Sequence, residues 1–256
     1  MKITRLIPLI LLAGTGLCKT IRFGRRNYLG DPVNAVKIFN DKKADEIIVL
    51  DIDATKEQRE PDYRFLGKIA AECFMPMTYG GGITTLEQAA KIFSLGVEKV
   101  AINTHFYKAP SLVKDISEKY GRQSVVVSID YIINSRGNTR VYSHGGKIRV
   151  PHTPLTAAKA AVEAGAGEIL LNCINRDGMR TGYDLKTLSQ ITSSVGIPVI
   201  ACGGAGGMED LFKAINNGHA SAVAAGSMFA YVGKSTDSIL INYPSQAELN
   251  MLYERI

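Results

Sequence analysis

Short apolar, β-branched runs alternate with longer amphipathic stretches along the chain. This alternation is typical of a parallel sheet whose crossovers are helices. The predicted strands cover residues 6–11, 47–52, 76–79, 100–103, 125–130, 169–172, 199–202 and 222–225. The predicted helices lie near 31–43, 62–73, 84–95, 109–119, 154–165, 184–194, 208–217 and 244–254. Eight strand–helix units in roughly 250 residues favour a (β/α)8 TIM barrel, with an open doubly wound sheet as the alternative.

The two halves of the chain resemble each other. The segment MPMTYGGGITTLEQAAKIFSLGVEKVAINT at 75–104 aligns with IPVIACGGAGGMEDLFKAINNGHASAVAAG at 197–226. At the same offset, DEIIVLDI at 45–52 aligns with GEILLNCI at 167–174. A repeat of half the chain indicates two half-barrels of four strands each, which close on one another as a single domain over 1–256.

The apolar start of the chain has two interpretations. Lys2 and Arg5 precede the apolar run 6–13, as in a secretory signal. Pro8 interrupts that run, which is also far shorter than the ~20 residues that span a membrane. Because the barrel needs this segment as its first strand, we expect a cytoplasmic protein that does not contact membranes.

Composition narrows the function classes. A 46% hydrophobic share with 21% charged residues is that of an ordinary globular protein and excludes a disordered chain. The net charge of +6 favours anionic ligands, but without a basic stripe it does not predict nucleic-acid binding. The four cysteines are too far apart for a CxxC metal site or a disulfide framework, so we expect reduced thiols, no metal and no cofactor.

Each half contains a glycine cluster between a predicted strand and a predicted helix. The clusters are Gly80 to Gly82 in the first half and Gly203, Gly204, Gly206 and Gly207 in the second. Exposed N–H groups at such a turn favour phosphate, and the alternative is that the glycines serve only tight turns. Thr84 and Glu87 are spaced as a capping box for the first of these helices. The next loops supply Asn103 and Thr104 in one half and Gly226 and Ser227 in the other, which suggests a ligand phosphorylated at both ends.

Asp130 is the candidate catalytic acid. It ends the strand VVVSID, at the face where barrel enzymes build their sites, and the alternative is an ordinary cap for the following loop. The repeat predicts a partner acid at the end of the first strand, but that residue is Leu11, which cannot transfer a proton. Asp51, Asp53 and Asp177 also follow strands. Lys19, in the loop AGTGLCKT, is predicted to reach a phosphate or a developing negative charge, or else to be solvated.

Four charged residues stand immediately before predicted strands. They are Arg5, Glu46, Lys99 and Glu168. The starts of barrel strands converge on one face, so two cations and two anions can alternate in a ring around the barrel axis. Charges at this face normally serve stability. A ring that closes a central passage is the alternative interpretation.

Together these residues resemble the cyclase subunit of imidazole glycerol phosphate synthase, an enzyme of histidine biosynthesis. The resemblance is carried by RLIP at 5–8, GDPV at 30–33, ADE at 44–46, YGGGI at 79–83, INT at 102–104, GAGEILL at 165–171, RDG at 176–178, GYD at 182–184 and GGAG at 203–206. INT and GAGEILL favour the cyclase over the isomerase of the same pathway, which is also a half-barrel repeat.

The resemblance implies a barrel that forms a heterodimer with a glutaminase subunit. Ammonia from the glutaminase would pass along the barrel axis and add to a bisphosphorylated small molecule. The resemblance implies that Asp130 and Lys19 are catalytic, and that Gln123 lies at the glutaminase interface. The implied phosphate-site residues are Gly82, Asn103, Thr104, Asp177, Gly178, Gly204, Gly226 and Ser227. The implied ammonia gate consists of Arg5, Glu46, Lys99 and Glu168.

Three departures from the family pattern affect the expected activity. Leu11 replaces the second catalytic aspartate, Asn175 and Met179 alter the RDG loop, and the tail ILINYPSQAELNML replaces the usual last helix. An intact gate with altered chemistry resembles the paralogue branch linked to surface-polysaccharide loci, which implies ammonia supply to a separate sugar amidotransferase.

Two alternatives remain. One is a working cyclase in which Asp51 or Asp53 replaces the lost acid, forming imidazole glycerol phosphate in histidine biosynthesis. The other is a non-catalytic activator of the glutaminase.

Overall fold

The computed structural model describes residues 4–231 and 238–255, and its eight parallel strands close into a barrel. The strands are β1 (Arg5–Ala13), β2 (Ile47–Asp51), β3 (Met77–Gly80), β4 (Lys99–Ile102), β5 (Val125–Ile133), β6 (Glu168–Cys173), β7 (Val199–Cys202) and β8 (Ala222–Ala225). The barrel closes because β1 pairs with both β8 and β2. The predicted (β/α)8 barrel is therefore confirmed, and the open sheet is wrong.

Helices surround the barrel near the predicted positions. They are α1 (Pro32–Asp41), α2 (Tyr63–Ala71), α3 (Leu86–Ser94), α4 (Ser111–Tyr120), α5 (Pro154–Glu163), α6 (Leu185–Thr192), α7 (Met208–Asn216) and α8 (Gln246–Glu254), with one extra turn at Ser227–Ala230. The predicted capping box of α3 is wrong by one residue. Thr85 is the N-cap and Gln88 closes the box, because Thr84 still belongs to the loop.

Two β-hairpins extend the barrel, and neither was predicted from the sequence. The strand Gly16–Thr20 runs antiparallel to β1 and pairs with Arg26–Gly30. In the second half, Thr139–Ser143 runs antiparallel to β5 and pairs with Ile148–Arg149. The intervals between β1 and α1 and between β5 and α5 are much longer than the usual βα loop of about 2–6 residues, which is the signal that could have revealed them.

The first strand is an integral part of the core. Leu6 and Ile7 are buried, on opposite faces of β1. Ile7 belongs to the apolar cluster that fills the barrel, with Ile48, Val126 and Leu170. Because β1 pairs with both β8 and β2, removing this segment would open the barrel.

The C-terminal segment closes the outer layer between α7 and α1. The Tyr243 hydroxyl donates to the Leu6 carbonyl at 2.8 Å, and its ring packs against Phe39 of α1. Arg255, after α8, stacks over Phe212 of α7. The tail that departs from the family pattern thus still supplies an eighth helix. Across the described ranges, no helix combines the length and apolar character needed to cross a membrane.

Candidate functional site

A cavity of about 720 Å³ opens at the carboxyl end of the barrel strands. Side chains from both halves line it, as expected for a TIM-barrel site. Of the predicted site residues, it brings together Gly82, Asn103, Thr104, Asp130 and Asp177.

Leu11 lines the same cavity as Asp130. Leu11 pairs with Leu50 on β2, and Asp130 pairs with Asn172 on β6. Leu50 and Asn172 are themselves aligned with each other in the repeat, within the segments 45–52 and 167–174. The strand register therefore makes Leu11 the structural counterpart of Asp130, and the second half alone presents an acid at this position.

Asp130 is buried, and its environment suits proton transfer. Asn103 Nδ2 donates to one carboxylate oxygen at 3.3 Å, and Ser128 Oγ lies 3.5 Å from the other. Burial, helped by the charge of Asp177, raises the pKa of Asp130 to about 7. A carboxyl that titrates near neutral pH can both accept and return a proton.

Arginines engage the two acids that were candidates to replace the missing one. Arg59 binds Asp51 through both oxygens, at 2.9 and 3.0 Å. Arg26 binds Asp53 in the same bidentate way, at 2.5 and 2.9 Å. Backbone N–H groups of Asp53 and Ala54 also donate to Asp51. Both carboxylates are therefore engaged in charge-assisted hydrogen bonds.

Lys19 lies on a hairpin strand and not in a loop, so that expectation is wrong. Gly14 and Thr15 make the turn, and Lys19 is already on the strand that follows. Its side chain is buried and Nζ donates to the Leu9 carbonyl at 2.6 Å. Burial lowers the pKa of Lys19, opposed by the charge of Asp177. The ammonium group occupies the space that a side chain at Gly226 would fill.

The glycine cluster of the first half faces the cavity. Gly81 and Gly82 both have positive φ angles, of 130° and 71°. A Cβ at Gly82 would lie 2.6 Å from the Arg59 carbonyl oxygen, so only glycine fits this turn. Asn103 and Thr104 line the cavity beside it, and Thr104 Oγ1 accepts from the His144 N–H at 3.0 Å.

The glycines of the second half are packed against backbone. A Cβ at Gly178 would meet the Thr20 carbonyl, and one at Gly204 would meet the Gly182 carbonyl. The described residues that line the cavity do not include Gly178, Gly204, Gly226 or Ser227. The glycines of both clusters thus pack closely against backbone, as expected of tight turns, but only those of the first cluster line the cavity.

The four charged residues that precede strands lie together at the opposite end of the barrel. Arg5 bridges Glu46 at 2.5 Å and Glu168 at 2.6 Å. Lys99 bridges the same two carboxylates, at 3.0 and 3.1 Å. The result is a closed ring of alternating charge, and Thr78 Oγ1 donates to Glu46 from within the barrel.

The space between the ring and Asp130 is apolar. Ile7, Ile48, Val126, Leu170 and Ile200 fill the barrel between the two ends. On the ring's side, Gln123 is exposed in the 3-10 turn Arg122–Ser124 before β5, where its Nε2 donates to the Tyr120 carbonyl.

Sequence reasoning missed many of the residues that line the cavity. Among them are Asn172, Lys56, Arg59, Glu60, His105, Lys108, His144 and Lys147. The amide oxygen of Asn172 is buried and has no hydrogen-bond partner among the described residues. Asn172 corresponds to Leu50 in the repeat, so its difference from Leu50 was a usable signal. The basic residues lie in loops after strands or in a hairpin turn. The hydrophobic pattern that predicts strands gives no information about side chains at such positions.

The molecule is thus a TIM barrel of the half-barrel repeat class, with a buried acid at the carboxyl end of the strands and a ring of ion pairs at the other end. Residues 5–236 match the family described as histidine biosynthesis protein, and the chain belongs to this family.

Relatives make the relationship more specific. A Pseudomonas aeruginosa protein with the provisional name imidazole glycerol phosphate synthase subunit hisF2 is 49% identical over 96% of this chain and 98% of its own length. A Leptospira interrogans protein with the provisional name imidazole glycerol phosphate synthase subunit HisF is 44% identical over 97% and 98%. The imidazole glycerol phosphate synthase subunit HisF of Chlorobium limicola is 40% identical over 89% and 90%. The chain is thus a HisF-like member of the family.

Proposed function

We propose that this chain is the synthase-type subunit of a glutamine amidotransferase pair. It takes ammonia from a HisH-like glutaminase subunit and delivers it for sugar amidation with a separate sugar amidotransferase, and its own cyclase activity is weak. The observation that carries the proposal is Leu11 at the position equivalent to Asp130, in a barrel whose charged ring is complete.

The ring and the barrel interior support ammonia transfer. Neutral ammonia can cross the apolar interior above the ring, whereas an ammonium ion would pay a large desolvation cost there. A ring of ion pairs can open by moving one side chain, and Lys99 and Arg5 are partly exposed at the outer end. Exposed Gln123 on the same side is the expected contact with the glutaminase.

The altered cavity supports the loss of cyclase activity. A mechanism with an acid from each half needs a proton donor or acceptor at position 11, and leucine is neither. Asp51 and Asp53 do not substitute, because Arg59 and Arg26 hold them as ion pairs.

Measuring both reactions of the pair tests the proposal. Purified with its glutaminase, the chain should stimulate glutamine hydrolysis while forming little imidazole glycerol phosphate. Robust formation of that product, or rescue of a histidine auxotroph lacking the cyclase, would instead establish the working cyclase.

A comparison of nitrogen sources separates ammonia transfer from simple activation of the glutaminase. Lys99→Ala or Arg5→Ala should lower amidation from glutamine while leaving amidation from added ammonium salt unchanged. If the chain only activates its partner, both nitrogen sources will support amidation equally well in the variants.

A further inference from the structure

The two hairpins at the carboxyl end of the barrel carry the chain's excess of positive charge. Their segments, residues 14–30 and 134–149, contain eight of the 30 lysines and arginines and none of the 24 acidic residues. The rest of the chain, with 22 basic and 24 acidic residues, is therefore slightly acidic. Because the hairpins extend β1 and β5, the fold concentrates this charge at one end of the barrel.

The two hairpins meet at the mouth of the cavity. Thr20 and Phe23 of the first hairpin and Lys147 and Ile148 of the second line the cavity. The Phe23 ring lies 3.2 Å from the place that a Cβ on Gly146 would take. The first and fifth strands of an eight-stranded barrel are opposite each other, so the hairpins bridge its end. We call the exposed surface of residues 14–30 and 134–149 the hairpin face.

The hairpin face exposes both apolar and cationic side chains. Tyr28 is 71% exposed and Ile148 is 49% exposed. Four exposed arginines form no ion pair with a carboxylate within residues 4–231 and 238–255: Arg22, Arg25, Arg136 and Arg149. Tyrosine and arginine are the residue types that protein interfaces favour at their centres. This composition is typical of a surface that binds another protein.

Acidic residues also lie at this end of the barrel, but none belongs to the hairpin face. Those that line the cavity are Asp51, Glu60, Asp130 and Asp177. Asp53 and Glu57, in the loop after β2, form ion pairs with Arg26 and Arg59. The exposed arginines of the hairpin face therefore favour a partner with an acidic surface, since complementary charges speed and orient protein association.

The first hairpin is held in position by the barrel itself. The Thr20 hydroxyl donates to the Asp177 carboxylate at 2.9 Å, and the Arg22 backbone N–H donates to the Asp177 carbonyl at 2.9 Å. Arg26 binds Asp53 in the loop after β2. A surface that is already ordered loses little conformational entropy when a partner docks on it.

Ammonia transfer to a second enzyme requires a covered exit from the barrel. In the proposed function, ammonia enters at the charged ring and reaches the cavity at the opposite end. Ammonia released into neutral water would take up a proton and lose the lone pair with which it attacks. A protein seated on the hairpin face would enclose the mouth of the cavity and exclude water from the route.

We propose that the hairpin face is the docking surface for the separate sugar amidotransferase, which binds through an acidic surface with an apolar part over the cavity mouth. The inference rests on the proposed function for the identity of this partner. The binding itself does not depend on the glutaminase and is measured without it.

A binding titration of the purified sugar amidotransferase against the full chain tests the inference. Arg25→Ala with Arg149→Ala, and separately Tyr28→Ala, should each weaken binding at least about tenfold. The affinity should also fall as ionic strength rises, because the arginines are exposed. Lys114→Ala with Lys159→Ala removes the same charge from exposed positions on α4 and α5 and should bind as the wild type does. An equal loss in this control, unchanged binding by the hairpin variants, or no binding by the wild type would overturn the inference.

Adding the glutaminase separates docking from ammonia transfer. The hairpin variants should amidate the sugar poorly from glutamine and normally from added ammonium salt. Their stimulation of the glutaminase should match that of the wild type, which shows that they are folded. If the wild type binds the amidotransferase through the hairpin face but supports no amidation from glutamine, the proposed function fails and the docking surface stands. Binding of a random-sequence DNA duplex that Arg25→Ala with Arg149→Ala abolishes, without binding of the amidotransferase, would instead assign the hairpin face to nucleic acid.

Discussion

Leu11 on β1 and Asp130 on β5 occupy equivalent positions in the two halves of the barrel and line one cavity. Each pairs with a neighbouring parallel strand on one side and with a hairpin strand on the other: Leu11 with Leu50 and Cys18, Asp130 with Asn172 and Tyr142. The backbone pairing is therefore the same in the two halves, although only the second half has an acid at this position. The first half has kept the geometry of an acid site without the acid.

Replacing Leu11 with aspartate tests how close these positions are electrostatically. In Leu11→Asp, the new buried carboxyl and Asp130 would raise each other's pKa, so both would prefer their protonated forms. A raised folded-state pKa gives stability that is lost as pH rises, so urea unfolding should show a deficit at pH 8 that shrinks towards pH 5. We expect an unfolding free energy about 2–4 kcal/mol lower at pH 8.

The control is Leu11→Asn, which has a similar shape to the aspartate and no charge. It should lose stability by an amount that hardly depends on pH. If the aspartate and asparagine variants have parallel pH profiles, the two positions do not interact through charge.

The barrel was predictable because a strand buried on both faces is a continuous apolar run. The segment RLIPLILLA has this pattern and forms β1. The repeat added what local pattern lacks, since it makes the first and fifth predicted strands equivalent, and Leu11 and Asp130 are the last residues of those two strands. The ring was recognisable because its four residues each directly precede a predicted strand, and strand starts converge on one face of a barrel. These residues are Arg5, Glu46, Lys99 and Glu168.

The rest depends on contacts between distant segments. Nothing local indicates that Arg59 neutralises Asp51 or that Arg26 neutralises Asp53. Lys19 was misplaced because a glycine-containing stretch indicates a turn without showing that the chain then returns along β1 as a hairpin strand. The cavity lysines Lys56, Lys108 and Lys147 come from three separate loops, so no sequence spacing predicts that they line one cavity.

Asp130→Asn should change how stability depends on pH. Its pKa of about 7 lies above the usual 3.8, so the folded state keeps a proton that the unfolded state releases between these values. The wild type therefore loses stability as pH rises through this window, by about 2 kcal/mol or more, and the asparagine variant does not. Thermal unfolding should show the variant gaining relative to the wild type between pH 5 and pH 8. Asp115→Asn removes an exposed carboxyl on α4 and should leave that difference flat, and a flat result for Asp130→Asn as well would contradict the assigned pKa.

Lys99→Met should destabilise the protein through the ring. The lysine is shared by Glu46 and Glu168, and its loss leaves two largely buried carboxylates with Arg5 alone. Breaking a buried ion pair from one side costs about 3–5 kcal/mol. Lys114→Met breaks the exposed pair with Glu118 on α4 and should cost under about 0.5 kcal/mol in the same urea titration. Similar losses in both variants would mean that solvent screens the ring.

Gly204→Ala should show that the second glycine cluster is held by backbone contact. Gly204 has a φ of 122°, and a Cβ there would collide with the Gly182 carbonyl. Gly96→Ala is the matched control, because its φ of 91° is also positive but nothing lies within 4 Å of the added carbon. The control should lose about 1 kcal/mol of unfolding free energy from backbone strain alone. Gly204→Ala should lose a further 1–3 kcal/mol or so, because the overlap forces the two loops apart. Equal losses would mean that the loop after β6, which contains Gly182, moves aside at no measurable cost.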